Sequence, residues 1–246
     1  MARLGAVFFD LDDTLVLTHA ATKIANDAVK AVLANRAPSS NADEVVSAFL
    51  EGFSSSPWDP VGQVDVTEWR ARIWHVALQK WSVQDIELAR DLQACFDRER
   101  MLAFQWAEGV EALVRELQNQ GLKVGLITNG HTVSSCKVQR AKLEACKAQE
   151  LFNVILVGGE EPREKPHKEI FLKACELAGC DPRESVMVGD NLLTDIQGGL
   201  NAGFLATIWV NLHGHPPSSS IHPSYTISSI AELPCVLKEI QRKYTN

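Results

Sequence analysis

The chain has 246 residues, of which 46% are hydrophobic and 22% are charged. This ordinary globular composition excludes wholesale disorder, and the length allows one large or two smaller domains. The net charge of −7 argues against sequence-independent nucleic-acid binding, which needs a basic face. No apolar run approaches the ~20 residues that cross a bilayer. We therefore expect neither nucleic acid nor a membrane as a partner.

The first residues and the cysteines bear on the compartment in which we expect the protein. The apolar run Ala6–Phe9 is too short for a signal peptide, and no small-residue cleavage site follows it. The six cysteines are scattered without a C-x-x-C pair, which favours reduced thiols over a disulfide framework or a zinc site. We expect a cytoplasmic protein. Because no heptad pattern or long exposed strand indicates an interface, we expect a monomer or a weak homodimer.

Five short apolar runs, rich in Val, Ile and Phe, predict the strands. None alternates polar with apolar residues, which is typical of parallel strands buried on both faces. Between the later runs, apolar residues recur at helical spacing and stop at Gly121 and Gly179. Alternating strands and helices predict an α/β fold with a doubly wound, mostly parallel Rossmann-like sheet. The five runs are Ala6–Phe9, Val124–Thr128, Val154–Val157, Val186–Val188 and Ala206–Val210.

One long interval, Leu17–Phe104, has almost no strand signal. It contains helical patterns separated by loops at residues 37–40 and 54–57. We predict a helical domain (17–104) inserted into an α/β core domain (1–16 and 105–246). Its mouth would lie over the carboxyl ends of the strands, where open α/β sheets bind ligands. The helical patterns are His19–Asn35, Ala42–Phe53, Thr67–Trp81 and Val83–Leu102.

The segment Asp10-Leu11-Asp12-Asp13-Thr14 directly follows the first predicted strand. Three carboxylates in four residues repel one another, and the buried run beside them deprives them of hydration. A bound divalent cation removes that penalty, and hard oxygen ligands suit magnesium. The alternative is a solvated acidic turn.

Three further polar motifs each follow a later predicted strand. Thr128-Asn129-Gly130 offers donors to a phosphate, although this triplet also occurs in ordinary turns. Lys165, which precedes Pro166, can neutralise phosphate oxygens, or it is a solvated loop lysine. Asp190 stands where a metal ligand is needed. Asp195 could hold a metal-bound water or the lysine ammonium, or it is only an acid favoured by a helix dipole.

An acid pair, a hydroxyl, a lysine and a second acid pair, in that order, resemble the four motifs of the haloacid dehalogenase superfamily. The resemblance extends from about residue 5 to residue 210. It implies that Asp10 is a nucleophile and that Asp12 is a general acid/base. Dehalogenase members lack an acid at the latter place, so the resemblance implies a phosphatase that forms an aspartyl-phosphate. The long helical insertion would be a cap that closes on the substrate.

The same resemblance implies the ligands of the site. Thr128, Asn129 and Lys165 would bind the phosphoryl group of a small-molecule phosphomonoester. Asp10, Asp190 and the backbone carbonyl of Asp12 would hold the magnesium ion. Asp195 would support this arrangement without binding the ion itself. The residues are Asp10, Asp12, Thr128, Asn129, Lys165, Asp190 and Asp195.

The second half of the chain is similar to superfamily phosphatases that act on a phosphorylated sialic acid, N-acylneuraminate 9-phosphate. In the insertion, Arg70 and Arg100 would pair with the carboxylate of that substrate, or they are snorkelling surface residues. Asp13 stands where that group more usually has Asn. The alternatives are a broad-specificity sugar-phosphate or nucleotide phosphatase, a phosphosugar mutase whose cap excludes water, and an idle binding module. The similar segments are 157–160, 164–166, 189–190, 194–203 and 206–211.

Overall fold

The computed structural model describes residues 4–56, 65–130 and 133–245. The chain divides into two compact units: Met1–Leu17 together with Gln105–Asn246, and Thr18–Phe104. The first break thus falls one residue later than the boundary drawn from the sequence. Within the described ranges, we find no helix whose length and apolar character would suffice to cross a membrane.

The first unit is built on a six-stranded sheet. Its strands are β1 (Ala6–Phe9), β2 (Lys123–Thr128), β3 (Val154–Val157), β4 (Ser185–Gly189), β5 (Ala206–Val210) and β6 (Tyr225–Ile227). All pairings are parallel, in the order β3-β2-β1-β4-β5-β6. Phe9 is level with Leu126 of β2 and Val188 of β4, so these three strands end at the same edge. The strand order reverses at β1, the place where doubly wound sheets bind ligands.

Helices cover both faces of this sheet, which confirms the predicted α/β class. The α-helices within the described residues are α1 (Thr18–Arg36), α2 (Ala42–Ser55), α3 (Val66–Gln79), α4 (Ile86–Leu102), α5 (Val110–Asn119), α6 (Val133–Ala145), α7 (Lys168–Ala178), α8 (Gln197–Asn201) and α9 (Leu233–Thr245). No residue of β1 has exposed surface. Phe8 joins Phe171 of α7 in one apolar cluster, whereas the ring of Phe9 lies against Phe152 on the other face. Burial on both sides is why these strands are continuously apolar.

The second unit is a bundle of α1 to α4 with its own apolar core. The ring of Phe49 stacks on Trp74 with centroids 3.8 Å apart. Gln93, which has no exposed surface, accepts a hydrogen bond of 3.1 Å from Trp74 Nε1. Apolar residues of α1, such as Val29 and Leu33, complete this core. The helical content of the interval follows from this amphipathic pattern.

Most helix boundaries in this unit differ from the sequence prediction by one to three residues, and two of them have local contacts worth noting. Helix α2 continues through Ser54 and Ser55, which were expected in a loop, and both hydroxyls donate to the Glu51 carbonyl, at 3.0 and 2.7 Å. The remainder of that expected loop reaches Pro57, which lies outside the described residues. Helix α4 begins at Ile86 rather than Val83, because the Asp85 carboxylate caps it by accepting from the Leu88 N–H.

The segment that enters the helical unit and the segment that returns from it lie next to each other in the first unit. Val16 forms an antiparallel bridge with Trp106. Beside it, the Ala107 N–H donates to the Leu15 carbonyl at 2.8 Å. The segment that precedes the insertion is therefore joined to the segment that follows it.

Candidate active site

A buried ion pair lies at the carboxyl end of β1. Asp10 directly follows this strand, and its N–H donates to the Val188 carbonyl, which ties it to β4. Lys165 Nζ donates to Asp10 Oδ1 at 2.5 Å and to the Ile127 carbonyl at 2.8 Å. The side chains of Lys165 and Asp10 are 2% and 9% exposed. With so little solvent around it, the pair is weakly screened and its attraction is strong. Asp10 is therefore not part of a solvated acidic turn.

Asp195 is the second buried partner of this lysine. Lys165 Nζ donates to Asp195 Oδ1 at 2.7 Å, and the Asn191 N–H donates to Asp195 Oδ2 at 3.0 Å. A widened turn, Leu192–Ile196, brings Asp195 back over the end of β4. A Cβ on Gly189 would lie 2.3 Å from Asp195 Oδ2. The close approach of Asp195 therefore requires glycine at this strand end.

Asp10, Asp190 and Asp195 form an acidic cluster. One carboxylate oxygen from each lies within 4.8 Å of the others. Trp209 on β5 donates its indole N–H to the Asp190 carbonyl at 2.7 Å, which fixes the backbone of this residue. The sequence did not predict this contact, because Trp209 lies on β5 whereas Asp190 follows β4. The cluster offers oxygen donors alone, the ligand type that Mg²⁺ prefers.

The electrostatics of the cluster favour an added positive charge. Burial raises the pKa of Asp10 well above its ordinary value, and Lys165 opposes this rise while Asp195 adds to it. Burial, followed by the charges of Asp195 and Asp13, raises the pKa of Asp190 to about 7. Burial alone would lower the pKa of Lys165, but Asp10 and Asp195 raise it above its ordinary value. The lysine stays charged, and the carboxylates still outnumber it.

The phosphate-binding candidates Thr128 and Asn129 lie at the end of β2. Thr128 is buried, and its Oγ1 accepts from Gln139 Nε2 at 2.8 Å. The Asn129 side chain pairs with the backbone of Lys165: Oδ1 accepts from its N–H and Nδ2 donates to its carbonyl, both at 3.0 Å. Asn129 thus joins the loops that follow β2 and β3. Its assignment as a phosphate ligand stays a prediction.

Asp12 does not join the acidic cluster and instead contacts α6. Lys142 Nζ donates to Asp12 Oδ1 at 2.6 Å, and Gln139 Nε2 donates to Asp12 Oδ2 at 2.7 Å. Sequence reasoning missed both donors, which lie 130 and 127 residues from Asp12 along the chain. Their i, i+3 spacing on the helix after Thr128 was the one available signal.

Asp13 has a left-handed backbone conformation, with φ of 52°, and its side chain is buried. Asp and Asn are the non-glycine residues that adopt this conformation most readily, because their side chains bond to nearby backbone. The tight turn after β1 therefore accepts either residue, and the Asp in place of Asn costs the turn little. In this chain the Asp adds a negative charge near Asp190.

Arg70 and Arg100 both lie in the helical unit. Arg70 Nη1 is 3.5 Å from Asp97 Oδ1, and its guanidinium carbon lies 5.6 Å from the Phe53 ring centroid. Arg100 Nε donates to Thr22 Oγ1 at 3.1 Å. Both side chains are thus anchored by neighbours in their own unit rather than extended into solvent. Their role toward a substrate stays a prediction.

Comparison with known proteins shows the family of the chain. The family model described as haloacid dehalogenase-like hydrolase matches residues 4–203. The chain is 37% identical to N-acylneuraminate-9-phosphatase of Rattus norvegicus, across 99% of this chain and 97% of the relative. It is 26% identical to glyceraldehyde 3-phosphate phosphatase of Pyrococcus furiosus, across 99% and 95%. The solved structure of the HAD hydrolase YfnB from Bacillus subtilis, bound to magnesium, superposes with a TM-score of 0.67 at 24% identity, covering 96% of this chain and 99% of that one.

Proposed function

The chain belongs to the haloacid dehalogenase-like hydrolases, and on that premise we propose that it is a magnesium-dependent phosphatase. Its substrate would be a small phosphomonoester, hydrolysed through an aspartyl-phosphate intermediate. One observation carries the proposal. The buried carboxylates of Asp10, Asp190 and Asp195 lie together with the Lys165 ammonium at one edge of the sheet. Such a cluster can bind a cation and a phosphoryl group while it presents a carboxylate nucleophile.

The residues at this edge fit a magnesium ion. Asp10, Asp190 and the backbone carbonyl of Asp12 are the ligands that we assign to it. Asp195 supports them indirectly, because its two oxygens already accept from Lys165 and from the Asn191 N–H. The raised pKa values of Asp10 and Asp190 mark a site that lacks positive charge. When bound, magnesium would offset the negative charge of the phosphoryl oxygens.

The chain's own residues supply the covalent chemistry. The Asp10 carboxylate attacks phosphorus in line, the bond from phosphorus to the leaving oxygen breaks, and an aspartyl-phosphate forms. Asp12 gives its proton to the leaving alkoxide. It then takes a proton from the water that attacks the phosphorus of the aspartyl-phosphate. The bond from phosphorus to the Asp10 oxygen breaks, which releases inorganic phosphate and returns Asp10 as a carboxylate. Lys165 and Thr128, with Asn129, would hold the phosphoryl oxygens.

An acid at position 12 also favours phosphate esters over carbon–halogen bonds. A departing alkoxide is a strong base that needs a proton, whereas a halide ion leaves without one. Asp12 lies two residues after Asp10, at the same strand end. We therefore assign phosphoryl rather than halide chemistry to this member of the family.

The substrate that we propose is N-acylneuraminate 9-phosphate. The likeness to the rat phosphatase extends over 99% of this chain, so it includes the helical unit as well as the motifs. Arg70 and Arg100 are the residues of the helical unit that we assign to the carboxylate of the sugar. The helical unit would serve as a cap. We further propose a cytoplasmic monomer or weak homodimer without nucleic-acid or membrane partners.

The test is phosphate release from N-acylneuraminate 9-phosphate, other sugar phosphates and nucleotides, with magnesium and with EDTA. We expect magnesium-dependent release with the highest kcat/KM for N-acylneuraminate 9-phosphate. A flat profile would remove this substrate and favour a broad-specificity phosphatase. Conversion of a sugar bisphosphate into an isomer without free phosphate would favour a mutase. No magnesium-dependent reaction with any of these compounds would favour an idle binding module.

A further inference from the structure

We propose that Lys142 and Gln139 are positioning residues for Asp12. This inference rests on the function proposed above, in which Asp12 is the general acid/base. Together the two side chains of α6 fix where the Asp12 carboxylate lies and how it is turned. The family motifs do not include either residue, and the pair follows from the contacts of this chain.

The two donors bind different oxygens of the same carboxylate. Lys142 Nζ lies 2.6 Å from Asp12 Oδ1, and Gln139 Nε2 lies 2.7 Å from Asp12 Oδ2. Two contacts on separate oxygens restrain rotation of the carboxylate as well as its position. The Lys142 side chain is 5% exposed, whereas that of Asp12 is 30% exposed. The donors therefore hold Asp12 from the buried side and leave part of it open to solvent.

Packing alone does not explain these two residues. Both lie in the buried part of α6, where an apolar side chain of similar length would fit without desolvating an ammonium or an amide. Within the described residues, Gln139 Oε1 is buried and has no hydrogen-bond partner. A stranded buried acceptor is costly. Gln139 is kept at this position despite that cost, and its amide N–H groups are directed at Asp12.

Gln139 also connects Asp12 to Thr128 and Asn129 at the end of β2. Its Nε2 lies 2.8 Å from Thr128 Oγ1 and 3.1 Å from the Asn129 carbonyl. An amide nitrogen has two hydrogens, so these acceptors and Asp12 Oδ2 share them. One side chain thus sets the spacing between the group that transfers the proton and the residues assigned to the phosphoryl oxygens. Small errors in such spacing reduce rates strongly.

A positioning role predicts a loss that depends on the leaving group. If Asp12 is displaced, a basic leaving oxygen no longer receives its proton, but a weakly basic one departs without it. Phenyl phosphate and p-nitrophenyl phosphate differ in this respect and are close in shape. Their kcat/KM values cover the steps through release of the leaving group, so water attack on the aspartyl-phosphate does not enter the comparison.

The experiment measures kcat/KM for both esters with magnesium in the wild type, Lys142→Met and Gln139→Leu. We expect Lys142→Met to lower the value for phenyl phosphate on the order of 10²-fold. The loss for p-nitrophenyl phosphate should be less than about 10-fold, because positioning of the proton donor no longer matters there. Gln139→Leu should act in the same direction. Lys137→Met is the matched control, since Lys137 is an exposed lysine of the same helix, and it should change neither value.

Equal losses for the two esters, or no loss, in both variants would overturn the inference. In an Asp12→Asn background, adding Lys142→Met should leave the ratio of the two kcat/KM values unchanged, because Lys142 acts through Asp12. A further change of the ratio there would also contradict it. If circular dichroism shows that Lys142→Met does not fold, Gln139→Leu decides the question. A wild type without magnesium-dependent turnover of either ester would instead contradict the phosphatase proposal, before any variant is compared.

Discussion

The two units of the chain bury polar groups in opposite ways. In the α/β unit, charged side chains are buried together at the strand ends, as Asp10, Lys165 and Asp195 are. In the helical unit, the corresponding contact is the neutral pair of Trp74 and Gln93 inside an apolar core. Buried charge is expensive and needs a reason, whereas a satisfied neutral pair is ordinary structure. Chemistry should therefore depend on the first unit, and the second should affect only which substrate is processed.

The largest effect that this contrast predicts is for Asp10→Asn. The amide has the same size but cannot act as the nucleophile, so kcat should fall by more than about 10⁴-fold. Asp91→Asn is the matched change in the helical unit, where Asp91 pairs with Arg36 on the surface. It should leave phosphate release from p-nitrophenyl phosphate unchanged. Near wild-type turnover by a folded Asp10→Asn, checked by circular dichroism, would contradict the nucleophile assignment.

The next largest effect concerns the buried lysine. Lys165→Met leaves Asp10 and Asp195 buried without their cation, and we expect a loss of about 3–5 kcal/mol in the free energy of unfolding. Lys30→Met is the control, because Lys30 pairs at 2.6 Å with the carboxylate of Asp43, whose side chain is 79% exposed. Its loss should be much smaller, because an ion pair with an exposed partner contributes little to stability. Urea unfolding in EDTA measures both, and equal losses would show that burial of the pair has no special weight.

A smaller effect follows from the raised pKa of Asp190, about 7 in the folded chain against 3.8 as its ordinary value. Without metal, the folded state keeps this proton over a range in which the unfolded chain has released it. Its contribution to stability is therefore present at low pH and lost as pH rises from about 4 to 7. Asp190→Asn should stabilise the metal-free protein at pH ~8 by roughly 1–3 kcal/mol, and this gain should shrink toward pH ~4.

Thermal unfolding at several pH values in EDTA measures this gain. Excess magnesium should reverse it, because the wild type then gains binding energy that the variant lacks. A gain that does not vary with pH would show that the Asp190 carboxylate is not under electrostatic strain.

The smallest predicted effect concerns the two arginines of the helical unit, and it tests whether this unit affects substrate choice alone. Arg70→Ala and Arg100→Ala should each raise KM for N-acylneuraminate 9-phosphate by about tenfold, the scale of one charged hydrogen bond. Neither should change kcat/KM for p-nitrophenyl phosphate, which lacks the sugar carboxylate. Arg36→Ala, which removes a surface ion pair of the same unit, is the control. Equal losses on both substrates would mean that these arginines only stabilise the helical unit.

The sequence predicts the sheet and its polar strand ends well, because burial on both faces leaves a continuous apolar run before each motif. It does not predict β6, since Tyr225–Ile227 is three residues long at the sheet edge and keeps Thr226 exposed. It also does not predict the partners of Asp12. Gln139 and Lys142 look like ordinary polar residues of a helix, and tertiary packing alone reveals that α6 turns them inward.

The bridge between Val16 and Trp106 has a consequence for how this molecule can change over evolution. The chain leaves and re-enters the α/β unit at neighbouring points. Contacts within the α/β unit therefore already hold the two ends of the inserted segment together. A longer, shorter or unrelated insert would then cost the sheet little in loop closure. New selectivity can be acquired there by exchange of a whole module, while the carboxylates at the strand ends stay where they are.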